Sequence, residues 1–190
     1  MAFFLPGVIG MCIGCGCSPN VKYDVYVSKD PVLGVELQYV SGWKVSEQRG
    51  SGGSFMQAVF LEPRAKNDTS KGAAMVVTSE SASKVKAASL EAFVEDFVSR
   101  RMKFADAKIV SRTKARVGGL EASDILLTYR SVDKLYSVDS KPVSFTERAL
   151  VVKKGVSFYT IRYENNSASF GRFEKAFEHM VRTVRFKSGS

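Results

Sequence analysis

The chain has 190 residues, 45% of them hydrophobic and 25% charged. That balance excludes a disordered chain and fits one ordinary globular domain with a real core. The formal net charge of +9 favours anionic partners: a membrane surface, nucleic acid or an acidic protein. All three cysteines, Cys12, Cys15 and Cys17, stand within the first seventeen residues. The body of the chain is thereby without a disulfide or a cysteine metal site, and the cysteines serve the N-terminus rather than the fold.

Met1 to Asn20 carries no charged side chain. Its apolar run is too short to span a bilayer as a helix and is broken by Pro6 and several glycines. It has the length of a signal-peptide apolar region, and small residues lead from it directly into cysteine. Residues 1–17 resemble a bacterial lipoprotein signal, in which the cleavage-site cysteine receives lipid and becomes the new N-terminus. The resemblance assigns lipidation to Cys15, preceded by the small Gly14, with Cys17 after Gly16 as the alternative. No Lys or Arg precedes the apolar run, and Cys12 stands where the pattern usually has Leu. Two other readings stay open. Cys12-x-x-Cys15-x-Cys17 could hold a soft metal or carry redox chemistry, although no fourth ligand is near. The cysteines could also be palmitoylated on an uncleaved N-terminus. The lipoprotein reading places the chain on the extracytoplasmic or periplasmic side of a cell membrane, held by lipid.

Residues 18–31 are polar, with one short extended piece at Val21–Val27, read as a linker or as a first edge strand. From residue 32 to 187 the pattern predicts a single domain. Val35, Leu37 and Tyr39 alternate with Gly34, Glu36 and Gln38, which predicts a strand. Ser41-Gly42 turns the chain, and Trp43 is expected to anchor the core or its edge. The loop Arg49–Ser54 is glycine-rich, but it lacks the Lys-Ser/Thr ending of a phosphate-binding loop. Phe55–Leu61 and Ala73–Ser79 are predicted strands, followed by a polar connection over 80–88.

The first clear helix is predicted over Ser89–Phe104. Ser89 is placed as its N-cap, and Leu90, Phe93, Val94, Phe97 and Val98 form one apolar stripe. Ala107–Val117 is a predicted strand with Ile109, Ser111, Thr113, Ala115 and Val117 on one face. Arg112, Lys114 and Arg116 share the other with Val110. Gly118-Gly119 turns it into a second strand, Leu120–Tyr129. Seven cations, Arg100, Arg101, Lys103, Lys108, Arg112, Lys114 and Arg116, face a single acid, Asp106, within seventeen residues. They are the candidate partner-binding surface, for an acidic protein or anionic headgroups. Against that stands the plain alternative of a solvated sheet face beside a helix C-terminus, where cations are favoured anyway. Nucleic acid is not expected: no interleaved aromatic set and no reading helix accompany the charge.

Val143–Lys153, a turn at Lys154-Gly155 and Val156–Tyr163 make a hairpin apolar on both faces, so it is expected centrally in a sheet covered on both sides. Phe170, Phe173, Phe177, Met180, Val181 and Val184 then recur at helical spacing. This order predicts an α+β domain, an antiparallel β-sheet with helices packed on it.

The ensemble resembles the PsbP-like family, with its Mog-type and DcrB-like branches, over residues 33–187. The strand Val35–Val40 running into the turn Ser41-Gly-Trp43, the glycine loop Gly50–Gly53 and the strand Phe55–Leu61 look like the family's opening. Val40 stands where the family's turn usually has proline. A helix such as Leu90–Phe104 and a closing hairpin and helix complete the resemblance. It implies an α/β/α sandwich and a binding or assembly module without a shared catalytic set.

No catalytic residue is assigned. The one histidine, His179, is placed opposite Phe170 around the last helix and predicted to lie on the surface, which leaves nucleophile–base chemistry and a His/Cys zinc site without support. No metal and no cofactor is expected. The sequence thus reads as a non-enzymatic, membrane-tethered binding module for a protein partner, with a small-ligand or lipid carrier as the alternative.

Overall fold

A computed structural model of the protein describes residues 21–65, 68, 70–134 and 139–187. The chain opens with β1 (Tyr23–Val27), β2 (Val35–Val40), β3 (Lys44–Arg49), β4 (Phe55–Leu61) and β5 (Ala74–Ser81). Two helices follow, α1 (Ala82–Val85) and α2 (Leu90–Arg101). Next come β6 (Ala105–Val117), β7 (Leu120–Val132), β8 (Pro142–Lys154) and β9 (Ser157–Asn166). The helix α3 (Gly171–Thr183) and the short strand β10 (Arg185–Phe186) close the chain.

Seven strands form one sheet in the order β3-β4-β5-β9-β8-β7-β6, and every pairing is antiparallel. A second sheet of three strands has the order β1-β2-β10. Of the two readings of Val21–Val27, the edge strand is the one observed: β1 pairs with β2 from Tyr23↔Val40 to Val27↔Glu36. Its Tyr26 is buried against Phe60, with the rings 5.1 Å apart edge to face.

The predicted double-sided hairpin is β8–β9, and it lies at the centre of the large sheet. Successive residues of a strand point to opposite faces, so each face needs its own cover. On one side Leu150, Val152, Tyr159, Ile161 and Tyr163 pack with Ala176, Phe177 and Met180 of α3 and with Val35 and Leu37 of β2. On the other, Ala149, Val151 and Phe158 pack with Phe93, Val94, Phe97 and Val98 of α2. Phe93 stacks flat on Phe158, with centroids 4.4 Å apart. Helices on both faces of an antiparallel sheet make this an α+β sandwich. Trp43 is the anchor its sequence position suggests, buried and edge-on to Phe173 of α3 at 5.0 Å.

Gly118 and Gly119, with φ of +56° and +82°, give the two-residue turn of the β6–β7 hairpin a conformation costly for any side chain with a Cβ. The Phe186 ring lies over Gly118, so a Cβ there would sit 2.9 Å from it. The β8–β9 turn falls one residue later than its sequence suggests: Lys154 pairs with Ser157, leaving Gly155-Val156 as the loop. The connection expected to be polar coil over 80–88 instead continues β5 to Ser81 and winds α1.

The face assignment within β6 needs correction. The register shifts between Ile109 and Ser111, where β6 carries an extra residue relative to β7. A bulge reverses the alternation on one side of it. Ile109 therefore pairs with Leu127 and shares the α2 face, while Lys108 pairs with Thr128 and falls on the α3 face. Arg112, Lys114 and Arg116 remain together on the α2 side, opposite Ile125, Ser123 and Glu121.

The two cores are separable by mutation. Phe158→Ala empties the α2 core and Phe177→Ala the α3 core; each is expected to cost about 3–5 kcal/mol in urea unfolding, the range for a fully buried Phe. A loss below about 1 kcal/mol in either would contradict the packing described.

Candidate functional site

The seven cations that stand close in sequence do not form one surface. Ser89 caps α2, its hydroxyl accepting from the Ala92 N–H at 3.1 Å, and this sets the helix direction. Arg100 and Arg101 fall in its last turn. Arg100 pairs with Asp96 one turn back, at 3.1 Å. Arg101 turns inward: its Nε donates to Glu147 Oε1 at 2.9 Å, and its guanidinium lies 4.9 Å from the Phe97 ring centroid. Glu147 is only 1% exposed and accepts from Arg162 at 3.4 Å through its other oxygen. A carboxylate so deep is tolerable because two arginines neutralise it, so Arg101 is part of the framework.

Arg112 is also engaged. Its two terminal nitrogens donate to Glu95 and Glu91 of α2, each at 2.6 Å. The hydrogen bond from Arg112 holds the Glu95 carboxyl below its ordinary range, and the reciprocal bond raises the guanidinium of Arg112. This fork fastens edge strand β6 to α2. Among the described residues, Lys103, Lys108, Lys114 and Arg116 make no ion pair. Lys114 and Arg116 line a cleft of about 900 Å³ between the start of α2 and the β6–β7 hairpin, with Leu90, Glu91, Glu121 and Ser123. Cys15 and Cys17 lie outside the described residues.

No protein-family profile matches the sequence, and no curated protein matches it. Its architecture does match solved structures. Cyanobacterial PsbP (CyanoP) from Synechocystis sp. PCC 6803 aligns with a TM-score of 0.56 at 13% identity, over 95% of this chain and 99% of that one. The Ran-binding protein Mog1p of Saccharomyces cerevisiae aligns at 0.56 and 9% identity, over 87% and 96%. LpqN of Mycobacterium tuberculosis, involved in cell envelope biogenesis, aligns at 0.52 and 12% identity, over 89% and 92%. The fold is PsbP-like. At these identities the likeness carries architecture alone.

Within the PsbP-like frame, His179 is not the surface residue its helical position suggests. The small sheet covers that side of α3. The imidazole stacks on Tyr23 at 3.8 Å and sits 2.7 Å from Gln38 Oε1 through Nε2. Burial, and then the nearby Arg182, lower its pKa below the ordinary value. It is a packing residue between α3 and β1–β2. Among the described residues no group of three or more His, Cys, Asp or Glu side chains is placed to hold a metal ion. No described helix is long and apolar enough to cross a membrane.

Two networks were hidden from sequence reasoning. Glu147 with Arg101 and Arg162 is one. The other is Arg148, which grips Asp124 of β7 at 2.7 Å and reaches Glu178 of α3 at 3.2 Å. Both join residues far apart in sequence through strand register. The only sequence signal for either is the charged pair Glu147-Arg148 inside an otherwise apolar strand.

The histidine gives a pH test with a definite sign. Its folded pKa is lowered, so the unfolded chain takes up the proton first as pH falls below about 6.5. The stability it contributes is present above that pH and is lost as pH falls towards the folded pKa. Urea unfolding of the wild type should weaken through this window, and His179→Gln should flatten that part of the profile. An unchanged profile in the variant would exclude His179 as the source.

Proposed function

We propose that the protein is a non-enzymatic binding module, tethered by lipid at Cys15 to the extracytoplasmic side of a cell membrane, which docks an acidic protein partner along β6. The observation that carries this reading is the division of the basic run into engaged and unengaged cations. Arg101 and Arg112 are consumed in holding α2, whereas Lys114 and Arg116 line an open cleft without ion pairs. Unpaired cations at a cleft attract carboxylates and steer their approach. β6 is also the last strand of its sheet, with one row of backbone groups free of strand partners. Its lysines and arginines suit an acidic partner while discouraging self-pairing. Catalysis has no support in the side chains: the sole histidine is stacked in the core boundary, and the cysteines belong to the N-terminal segment.

The anchor rests on the Gly14-Cys15 motif and its apolar leader. Two structural relatives are consistent with such a role: one solved relative is described as Ran-binding, another as involved in envelope biogenesis. Neither Ran nor a photosystem is carried over as a partner. Cofactors and metals have no part in the reading, and nucleic acid is not its ligand.

Labelled palmitate fed to the native host should be incorporated by the wild type and not by Cys15→Ser; an unlabelled, fully soluble wild type would remove the anchor. For docking, crosslinking in the host identifies the partner, and Lys114→Glu with Arg116→Glu should then slow association by about tenfold at low salt. Both residues are free of ion pairs, so the double variant should fold normally. Unchanged association would exclude the β6 surface.

A further inference from the structure

A second, smaller cleft opens at the other end of α2, over strands β5 and β9. Its volume is about 160 Å³. Thr78 and Thr160 form its floor, cross-strand partners on the α2 face of the sheet. Phe55 and Phe97 contribute aromatic walls, and Phe55 packs on Gly50, where an added Cβ would displace its ring. Arg100, Arg101 and Arg162 converge on the cleft from α2 and β9.

The donors in this cleft exceed its acceptors. A guanidinium offers several N–H groups in a planar fork. Here Arg101 spends its Nε on Glu147 and Arg162 one Nη on the same carboxylate, while Arg100 forms an ion pair with Asp96. The remaining N–H groups of all three have no protein acceptor among the described residues. Glu80 is the remaining acid of the cleft and makes no ion pair or hydrogen bond. Small volume, aromatic walls and forked cationic donors are the makings of a ligand site.

We propose that this cleft binds a small organic carboxylate, its charged group on the spare donors of Arg101 and Arg162 and the hydroxyls of Thr78 and Thr160, its apolar body between Phe55 and Phe97. The site is separate from the docking cleft at the start of α2 and does not depend on that reading. The charges acting on Glu80 are Arg100, Asp96 and Arg101 on α2 and Arg162 on β9. Burial raises the Glu80 pKa, partly offset by Arg100. With Glu80 neutral, three arginines face only Asp96 and Glu147, and the carboxyl becomes a donor to the ligand. Binding therefore strengthens as pH falls.

The test is titration of benzoate into the full chain, followed by backbone and arginine side-chain NMR. Saturable shifts at Thr78, Thr160 and Arg162 are expected, with affinity rising as pH is lowered and Glu80 takes up its proton. Glu80→Gln should bind at the higher pH as the wild type does at the lower, with the pH dependence gone. Arg162→Gln should lose about tenfold, the scale of one charged hydrogen bond. Because Arg162 also supports Glu147, Thr160→Val provides a gentler variant, expected to lose about threefold with folding intact. Absence of saturation, shifts centred instead on Lys114 and Arg116, equal binding of inorganic phosphate, or an unaltered pH dependence in Glu80→Gln would each overturn the proposal.

Discussion

The β8–β9 hairpin carries large apolar side chains on both faces, and a strand of that kind cannot sit at an edge or face water. Phe158, Ile161 and Tyr163 are all fully buried although Phe158 points opposite to the other two. Two covers are then obligatory. One is α3 with the β1–β2–β10 sheet, and the other is α2. The connectivity follows from this demand: α2 is inserted between β5 and β6, and α3 follows β9 directly and folds back over it. The Tyr163 hydroxyl donates to the Phe170 carbonyl at 2.7 Å, fixing the turn that starts α3. Burial pushes that phenol up to about 12, so it remains a neutral donor throughout the ordinary pH range.

Glu147 and Arg148 show how one strand orients both covers. Adjacent residues of β8 point to opposite faces. Glu147 takes Arg101 from the end of α2, and Arg148 takes Glu178 from α3. Each bond is backed by a strand neighbour, Arg162 behind Glu147 and Asp124 behind Arg148. Apolar packing would let either helix slide or rotate at modest cost, whereas a buried carboxylate left without its arginine is expensive. These pairs therefore act on the placement of the helices more than on net stability.

Much of this fold was legible in the sequence because periodicity reports burial. The alternation in β8 and β9 and the phenylalanine spacing in α3 locate the centre of the sheet and the helix that covers it. The candidate site was less legible, for two physical reasons. First, the bulge in β6 adds one residue, and the sequence has no turn residue there to announce it. Lys108 consequently changes faces relative to Arg112. Second, cations at a helix C-terminus have a sufficient local explanation in the helix dipole, which concealed the inward turn of Arg101. His179 failed in the same manner: its position around α3 is polar relative to the phenylalanines, but β1 and β2, from the far end of the chain, bring Tyr23 and Gln38 against it.

The division of the basic run has a consequence for how charge is used on this fold. An arginine in a bidentate or buried pair loses much of its reach, because its field is cancelled locally. Arg101 and Arg112 are in that position, and both are arginines, whose forked geometry suits such clamps. Of the four unengaged cations, Lys103, Lys108, Lys114 and Arg116, three are lysines, with strongly hydrated point charges on flexible stems. The engaged cations fix α2, Arg101 to β8 and Arg112 to β6, and under the proposed docking the unengaged Lys114 and Arg116 are the ones left to a partner. Replacing Arg112 would loosen the edge strand, while replacing the unengaged cations would break no ion pair. Under that proposal the net charge of the protein overstates the charge available for docking, because the engaged cations are cancelled locally.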